Sequence, residues 1–223
     1  MSLEATLKEI AGDFAPAALA SSMQAEDMVL IHAVAQARLP IEVFVLDTGR
    51  LHADTLDLIK EVEGLCKIKV YQPDPAAVTH YVKANGRDGF YGSVELRKAC
   101  CGIRKVEPLR RALAGKRAWI TGQRRSQSAT RAELAERELD AVHGIEKFNP
   151  LAAWSEAQVW DYLATHRVPY NRLYEQGYRS IGCAPCTRPV LPGEDPRAGR
   201  WWWEQAEHKE CGLHPEKELL HAG

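Results

Sequence analysis

The sequence predicts an α/β fold, in which a mainly parallel sheet has helices on both faces. Short apolar runs alternate with helical patterns along most of the chain, and the strand-like runs have few polar interruptions. Strands that are buried on both faces have this composition. The 223 residues, of which 45% are hydrophobic and 26% charged, suffice for one large domain with a buried core.

The first part of the chain supplies three predicted strands. Residues 17–20 (AALA) predict a strand, and residues 26–37 predict the helix that follows it. Residues 41–46 (IEVFVL) are the clearest strand, because they are rich in β-branched and aromatic side chains. A turn and a helix follow over residues 47–64, and residues 67–72 (KIKVYQ) predict the third strand.

The next part of the chain completes the predicted sheet. Residues 94–115 are predicted to be mainly helical, with a break at Pro108, since proline removes a helical hydrogen bond. Residues 117–122 predict a fourth strand and residues 145–151 a fifth. Ligands of such sheets bind beyond the carboxyl ends of the strands, so a site is expected at the polar loops there. These loops are residues 21–25, 47–50 and 122–131.

The pattern changes after the fifth predicted strand. Ser155, followed three residues later by Gln158, predicts a capping box that begins a helix. From Val168 onward there is little periodicity and much Pro, Gly, Cys and Trp. We therefore expect a single domain over residues 1–223. Its core spans about residues 15–165, and an irregular C-terminal segment with a mobile tail spans about residues 166–223.

Composition and charge exclude several classes of protein. The apolar runs are too short to cross a bilayer, and the N-terminus has no apolar signal region, so we expect a cytoplasmic protein with no membrane partner. Structural disulfides are then not expected. The net charge of −1 argues against general nucleic-acid binding. Residues 97–117 nevertheless hold eight Lys or Arg against one acid, which suits a small anionic ligand.

Four of the six cysteines form two pairs. Cys100 and Cys101 are adjacent, and Cys183 and Cys186 form a C-x-x-C motif. Four thiolates favour zinc or an iron–sulfur centre. Structural zinc prefers pairs spaced by two to four residues, whereas adjacent side chains diverge, so we favour one 4Fe–4S cluster. Zinc remains an alternative, as does a role for the adjacent pair as small buried hydrophobes.

The other two cysteines differ in their surroundings. Cys66 lies at a predicted helix end before a strand, a position typical of packing. Cys211 lies near the C-terminus in KECGLH, with Lys209 before it and His214 three residues after it. Positive charge lowers a thiol pKa, so these neighbours suit a nucleophile. The alternative is a surface thiol without a function.

The motifs together resemble a known family, the assimilatory adenylyl-sulfate (APS) reductases, which are relatives of the phosphoadenylyl-sulfate (PAPS) reductases. The matching stretches run in the family's order from about residue 20 to residue 214. They are SSMQAEDMVLIHA, VFVLDTGRLHADTLDLI, KACCGIRKVEPL, ITGQRRSQSATR, IGCAPCTRPV, GEDPRAGRWWWE and KECGLH. The resemblance implies an adenine-nucleotide α-hydrolase-like fold and the reduction of APS to sulfite and AMP.

The resemblance also implies roles for individual residues. Cys211 is expected to attack the substrate sulfur and to carry an S-sulfonate, with Lys105 and His214 assisting. Cys100, Cys101, Cys183 and Cys186 are expected to hold the cluster. The residues expected to contact the substrate are Ser21, Leu46, Thr48, Gly49, Gly122, Arg131, Arg197 and Arg200. Thioredoxin or glutaredoxin is the expected reductant, and the sequence allows a homo-oligomer.

Three alternatives compete with this interpretation. The first is a reductase of PAPS, which differs from APS by a ribose 3′-phosphate. The second is a zinc-binding module that grips RNA through residues 97–117. The third is an ATP-using transferase of the same fold, against which the lack of glycine in residues 21–27 argues, because relatives that cleave ATP hold its phosphates in a glycine-rich loop.

Overall fold

The computed structural model describes residues 2–128 and 131–204 and contains one six-stranded sheet. The strands are β1 (Ala17–Ser21), β2 (Ile41–Leu46), β3 (Ile68–Tyr71), β4 (Ala118–Ile120), β5 (Arg137–Asp140) and β6 (Ile145–Phe148). Their order across the sheet is β3-β2-β1-β4-β6-β5. All neighbours are parallel except β5 and β6, so the predicted mainly parallel sheet is confirmed.

One face of the sheet is covered by four helices. They are α1 (Leu3–Asp13), α2 (Ala25–Gln36), α3 (Ala53–Val62) and α7 (Glu156–His166). Their apolar side chains form one buried cluster with strand residues such as Ala17, Leu19 and Val43. Helix α7 begins with the predicted capping box, in which Ser155 Oγ accepts from Gln158 N at 3.2 Å and Gln158 Oε1 accepts from Ser155 N at 2.8 Å.

The opposite face is covered by α6 (Glu107–Leu113). Leu109, Ala112 and Leu113 of this helix pack in a second cluster with Ala18, Phe44 and Trp119, while the strand neighbours Ala17 and Leu19 point to the first. This alternation is the period of two that a β-strand imposes on its side chains. Two further helices precede α6, namely α4 (Pro75–Asn85) and α5 (Val94–Cys101).

The helical region around Pro108 differs from the prediction. The chain stays helical from Val94 to Leu113, and a π-helical turn over Gly102–Val106 replaces the expected break. Pro108 lies in the first turn of α6, where its missing N–H costs little. The widened π-helical turn lies immediately before the proline, and such turns are frequent at functional sites. It also places Arg104 and Lys105 within the helix that carries the adjacent cysteines.

Three elements were not predicted from the apolar pattern. Helix α1 buries only Leu7, Ile10 and Ala11, and helix α4 buries only Tyr81, so neither has a long apolar pattern. Strand β5 (RELD) is polar because it lies at the sheet edge, where it pairs antiparallel with β6. Polar edge strands are typical of sheets that resist further pairing.

The C-terminal part of the described chain is irregular, as predicted. Residues 168–204 contain two short 3₁₀ turns, Arg172–Gln176 and Ala184–Cys186, and an isolated bridge between Thr187 and Arg200. The segment packs on the carboxyl ends of the strands, since Ile181 N donates to Gln24 and Ala184 N donates to the Arg50 carbonyl. Within the described ranges, the helices are too short and too polar to span a bilayer.

Candidate active site

A cavity of about 380 Å³ lies beyond the carboxyl ends of β1, β2 and β4. The strand order reverses between β1 and β4, and such a reversal is where open α/β sheets bind ligands. Phe44 and Trp119 contribute an apolar floor, while the loops after the strands and the irregular segment supply polar walls. An apolar floor with a few convergent polar groups is typical of a small-molecule site.

Most of the predicted substrate residues meet at this cavity. Its lining includes Ser21, Leu46, Thr48, Lys105, Gly122, Arg131, Arg197 and Arg200. Gly49 is not among the lining residues. It holds a left-handed turn with φ of 69°, and its N–H donates to Asp47 Oδ1 at 2.9 Å. Cys211 and His214 lie outside the described residues.

The loop after β1 is organised by a buried carboxylate rather than by glycine. Asp27, in the first turn of α2, accepts from Ser22 N and from Ser22 Oγ, both at 2.7 Å. Burial raises the pKa of Asp27 to about 6, against the opposing effect of the Ser22 hydrogen bonds. Glu26 beside it forms a buried ion pair with Arg124 at 2.8 Å. The loop therefore presents a fixed wall of the cavity.

We expect the stability contribution of Asp27 to fall as pH rises. Its pKa is about 6 in the folded protein and 3.8 as the reference value for the unfolded chain, so folding favours the protonated form. This difference in pKa lowers the free energy of unfolding very little well below pH 4, and by about 3 kcal/mol once pH exceeds 6. Asp27→Asn lacks this titration, so its unfolding free energy relative to the unmodified protein should rise by about 2–3 kcal/mol from pH 4 to pH 7.

Urea denaturation at several pH values measures this difference. Asp57→Asn is the control, because Asp57 is an exposed partner of Lys60 and such surface ion pairs contribute little to stability. If the unfolding free energy of Asp27→Asn relative to the unmodified protein instead stays constant or falls as pH rises, that result would contradict a raised pKa of Asp27 in the folded protein.

Gly122, just after β4, is in close contact with the same helix terminus. A Cβ at this position would lie 2.5 Å from Asp27 Oδ1, 2.9 Å from Glu26 Cβ and 3.2 Å from Asp27 N. Two of these atoms belong to a buried helix start and cannot rotate away. Glycine is therefore required here so that the loop after β4 can approach α2 and close one side of the cavity.

Gly122→Ala should displace this wall and cost about 1–3 kcal/mol, the usual penalty of overpacking. AMP is the product that the family resemblance implies, and we expect its binding to weaken by about tenfold, because the displaced atoms line the cavity. Calorimetric titration with AMP and urea denaturation measure the two effects. Gly12→Ala is the control, since no atom lies within 4 Å of its added Cβ. Unchanged AMP affinity in Gly122→Ala would contradict the role of this wall.

Four cysteines from two separate segments line a second, small cavity of about 20 Å³. Cys100 and Cys101 end α5, and Cys183 and Cys186 bracket a 3₁₀ turn. The two cavities adjoin, because Lys105, Cys183 and Trp201 line both of them. All five described cysteines, Cys66 included, are free thiols.

The surroundings of two of these thiols, Cys100 and Cys186, disfavour the charged thiolate. Burial raises the pKa of Cys100, and burial together with the charge of Cys183 raises the pKa of Cys186 to about 12. Thr48 Oγ1 lies 3.2 Å from Cys183 Sγ, and Arg104 donates to the Thr48 carbonyl at 2.6 Å. In residues 2–128 and 131–204, no group of three or more Cys, His, Asp or Glu side chains is already arranged to hold a metal ion. By chemistry, however, four thiols that line one cavity fit an iron–sulfur cluster or zinc.

Several residues at the two cavities were missed by the sequence analysis. Arg97 and Arg104 both line the cysteine cavity, as does Trp201. A signal was present for the arginines, because Arg97, Cys101 and Arg104 follow at intervals of four and three residues, which places them on one helix face. Nothing local indicated that Glu204 pairs with Arg97 across 107 positions of sequence.

Comparisons with known proteins agree with this arrangement. A model of the phosphoadenosine phosphosulfate reductase domain matches residues 16–189. The chain is 57% identical over 210 residues to an adenosine 5′-phosphosulfate reductase of Allochromatium vinosum, covering 93% of this chain and 82% of the relative. It is 55% identical over 215 residues to the enzyme of the same name from Neisseria meningitidis serogroup A, covering 95% and 88%.

Solved structures support the same fold. A phosphoadenylyl-sulfate reductase from Candida auris, crystallised with phosphate, is similar with a TM-score of 0.73 at 27% identity, covering 85% of this chain and 91% of that one. The FMN adenylyltransferase of Candida glabrata, at a TM-score of 0.55 and 14% identity, shares the fold alone and covers 98% and 79%. The adenine-nucleotide α-hydrolase-like fold expected from the motifs is therefore confirmed. On the match of the domain model and the identity to curated relatives, this chain belongs to the phosphoadenosine phosphosulfate reductase domain family.

Proposed function

We propose that this protein is an oxidoreductase that reduces APS to sulfite and AMP in sulfate assimilation. The observation that carries the proposal is an identity of 47–57% to adenosine 5′-phosphosulfate reductases over most of the chain. The cavity supports it chemically, because an apolar floor suits an adenine ring and the cationic wall suits a phosphosulfate.

The adenosine would lie over the carboxyl ends of the strands. Ser21, Leu46, Thr48 and Gly122 line that part of the cavity, and Gly49 supports the turn that carries Thr48. A volume of about 380 Å³ is within the range that small-molecule sites occupy. The alternative of ATP cleavage has no support, since a carboxylate-fixed loop takes the place where relatives use glycine to hold pyrophosphate.

The phosphosulfate would face four cations from three segments. Lys105, Arg131, Arg197 and Arg200 all line the cavity. Arginine forks match the oxygens of phosphate and sulfonate, and together the cations offset the repulsion between an anionic nucleophile and an anionic substrate. Lys105 also lines the cysteine cavity, so it is the cation best placed to act on both.

Cys211 supplies the nucleophile in this proposal. Its thiolate attacks the substrate sulfur, the bond between that sulfur and the phosphate oxygen breaks, and AMP leaves with the electron pair. The enzyme then holds a cysteine S-sulfonate. A thiolate of thioredoxin or glutaredoxin attacks Cys211 Sγ and releases sulfite, and the reductant's second thiol resolves the mixed disulfide. The dithiol thus provides both electrons, and His214 assists the Cys211 thiolate.

Cys100, Cys101, Cys183 and Cys186 would hold one 4Fe–4S cluster. Their thiol chemistry and their shared cavity support this, and the adjacent pair favours it over zinc. The cluster, when bound, would supply a covalent tie between the end of α5 and the segment that follows Ile181. The dithiol of the reductant delivers the electrons, so the cluster is not needed as an electron carrier. We propose that the four cysteines and their cluster hold Lys105 in its orientation toward the substrate. Visible absorption spectroscopy tests the metal. A brown protein with broad absorption in the violet region indicates an iron–sulfur cluster, whereas a zinc protein is colourless.

Steady-state kinetics with reduced thioredoxin test the substrate. The alternative is PAPS, for which the Candida auris relative is named. We expect sulfite release with a much higher kcat/KM for APS than for PAPS, because curated relatives at 55–57% identity are named for the former. A strong preference for PAPS would contradict the proposal, and failure to release sulfite from either would refute it.

A further inference from the structure

A buried ion pair joins the helix of the adjacent cysteines to the last described residue of the chain. Arg97 on α5 donates from Nε to Glu204 Oε1 at 2.7 Å and from Nη2 to Glu204 Oε2 at 2.9 Å. The two side chains are only 1% and 4% exposed. Such a two-point contact fixes the planes of both groups, which a single contact with a lysine could not do.

Trp201 connects this pair to the large cavity. The Arg97 guanidinium carbon lies 4.7 Å from the centroid of the Trp201 ring, and that of Arg200 lies 4.6 Å from it. Trp201 is 1% exposed and lines both cavities. Glu204 N also donates to the Trp201 carbonyl at 2.8 Å, so the ion pair holds this residue by its backbone as well as by its ring.

Arg200 is stacked on this ring. Two of its hydrogen bonds, to Ser180 Oγ and to the Ile181 carbonyl, are long, at 3.3 Å each. Gly182 leaves the space that the guanidinium fills, since a Cβ there would lie 2.6 Å from Arg200 Nη2. A planar cation stacked on a buried indole is held in one plane. The stack therefore restricts the orientation of the Arg200 guanidinium more than the long hydrogen bonds do alone.

We propose that Arg97 and Glu204 are positioning residues for the reaction, because they fix the Trp201 ring on which the guanidinium of Arg200 is held toward the phosphosulfate. This inference rests on the proposed function. Two arginines on one ring repel each other in a buried site. The Glu204 carboxylate neutralises Arg97 and so permits the arrangement.

The test measures what the 5′-phosphate contributes to binding. The ratio of the adenosine Kd to the AMP Kd, from calorimetric titration of the purified protein, isolates this contribution. Glu204→Gln keeps the size of the side chain and leaves the lining of the cysteine cavity intact. Arg97→Lys keeps the charge but loses the fork and the planar face. In each we expect the ratio to fall about tenfold while the adenosine Kd stays within about twofold. General loss of structure would weaken both ligands alike.

A double-mutant cycle separates action through Arg200 from direct action. In an Arg200→Lys background, Glu204→Gln should have no further effect on the ratio, because the group that it positions is gone. Arg110→Lys, an exposed arginine on the neighbouring helix, is the control and should leave the ratio unchanged.

Three results would overturn the inference. They are an unchanged ratio in both Glu204→Gln and Arg97→Lys, an equal fall with and without Arg200, and an unchanged ratio in Arg200→Lys alone. The proposed function is judged separately, by sulfite release from APS in the unmodified protein.

Discussion

Replacing Cys211 with serine should abolish sulfite release from APS. At neutral pH a serine hydroxyl is almost entirely protonated and is a poor nucleophile for sulfur, whereas a thiolate is a good one. We expect kcat to fall by about 10³-fold or more, as in other enzymes that lose a covalent nucleophile. AMP affinity should change by no more than about threefold, because serine keeps the size of cysteine and AMP has lost the sulfonate that the thiolate attacks.

Cys66→Ser is the matched control for this experiment. Cys66 is half-buried against the core beneath the sheet, outside the lining of either cavity, so its replacement should leave turnover intact. Sulfite release at an undiminished rate by Cys211→Ser would show that another group attacks the substrate.

The second large effect is expected at the cysteine cavity. Cys101→Ser should lose its iron and its turnover, because a hydroxyl is a much weaker ligand than a thiolate for iron–sulfur centres. The sheet should remain folded, since Cys101 belongs to neither of the two hydrophobic clusters that cover it. Iron analysis, absorption spectra, far-UV circular dichroism and sulfite assays measure these effects together.

The outcome that would contradict this account is specific. A Cys101→Ser protein that lacked iron and kept full turnover would show that the cluster has no part in orienting Lys105. Cys66→Ser again serves as the control and should keep both iron and activity.

The central strands β1, β2 and β4 were predictable because they are buried on both faces. The stretch IEVFVL is rich in β-branched and aromatic side chains, which favour a strand, and β2 occupies the predicted residues, Ile41–Leu46. The polar strand β5 was not predictable in this way, since an edge strand with one exposed side needs no apolar run. The turn before Pro108 was wrongly predicted as a break, because propensity alone does not distinguish a helix end from a π-helical turn.

The part of the site formed by residues of recognisable motifs could be predicted from the sequence. Lys105, Arg131, Arg197 and Arg200 come from three segments, and the fold brings all of them to one cavity. The stack of Arg97 and Arg200 on Trp201 was not predictable, because it needs the tertiary contact between α5 and the C-terminal segment. Gly49, predicted as a substrate contact, has a positive φ and shapes the turn after β2, so its structural role alone accounts for the glycine.

The central claim is that a thiol near the C-terminus carries the sulfonate while four others hold the cluster. Mixing the protein with APS in the absence of any reductant, followed by intact-mass and peptide-mass analysis, tests it most directly. We predict one added SO₃ group per chain, located on the peptide that contains Cys211, and its loss as sulfite when reduced thioredoxin is added. An unmodified chain after release of AMP, or a sulfonate on another cysteine, would contradict the account.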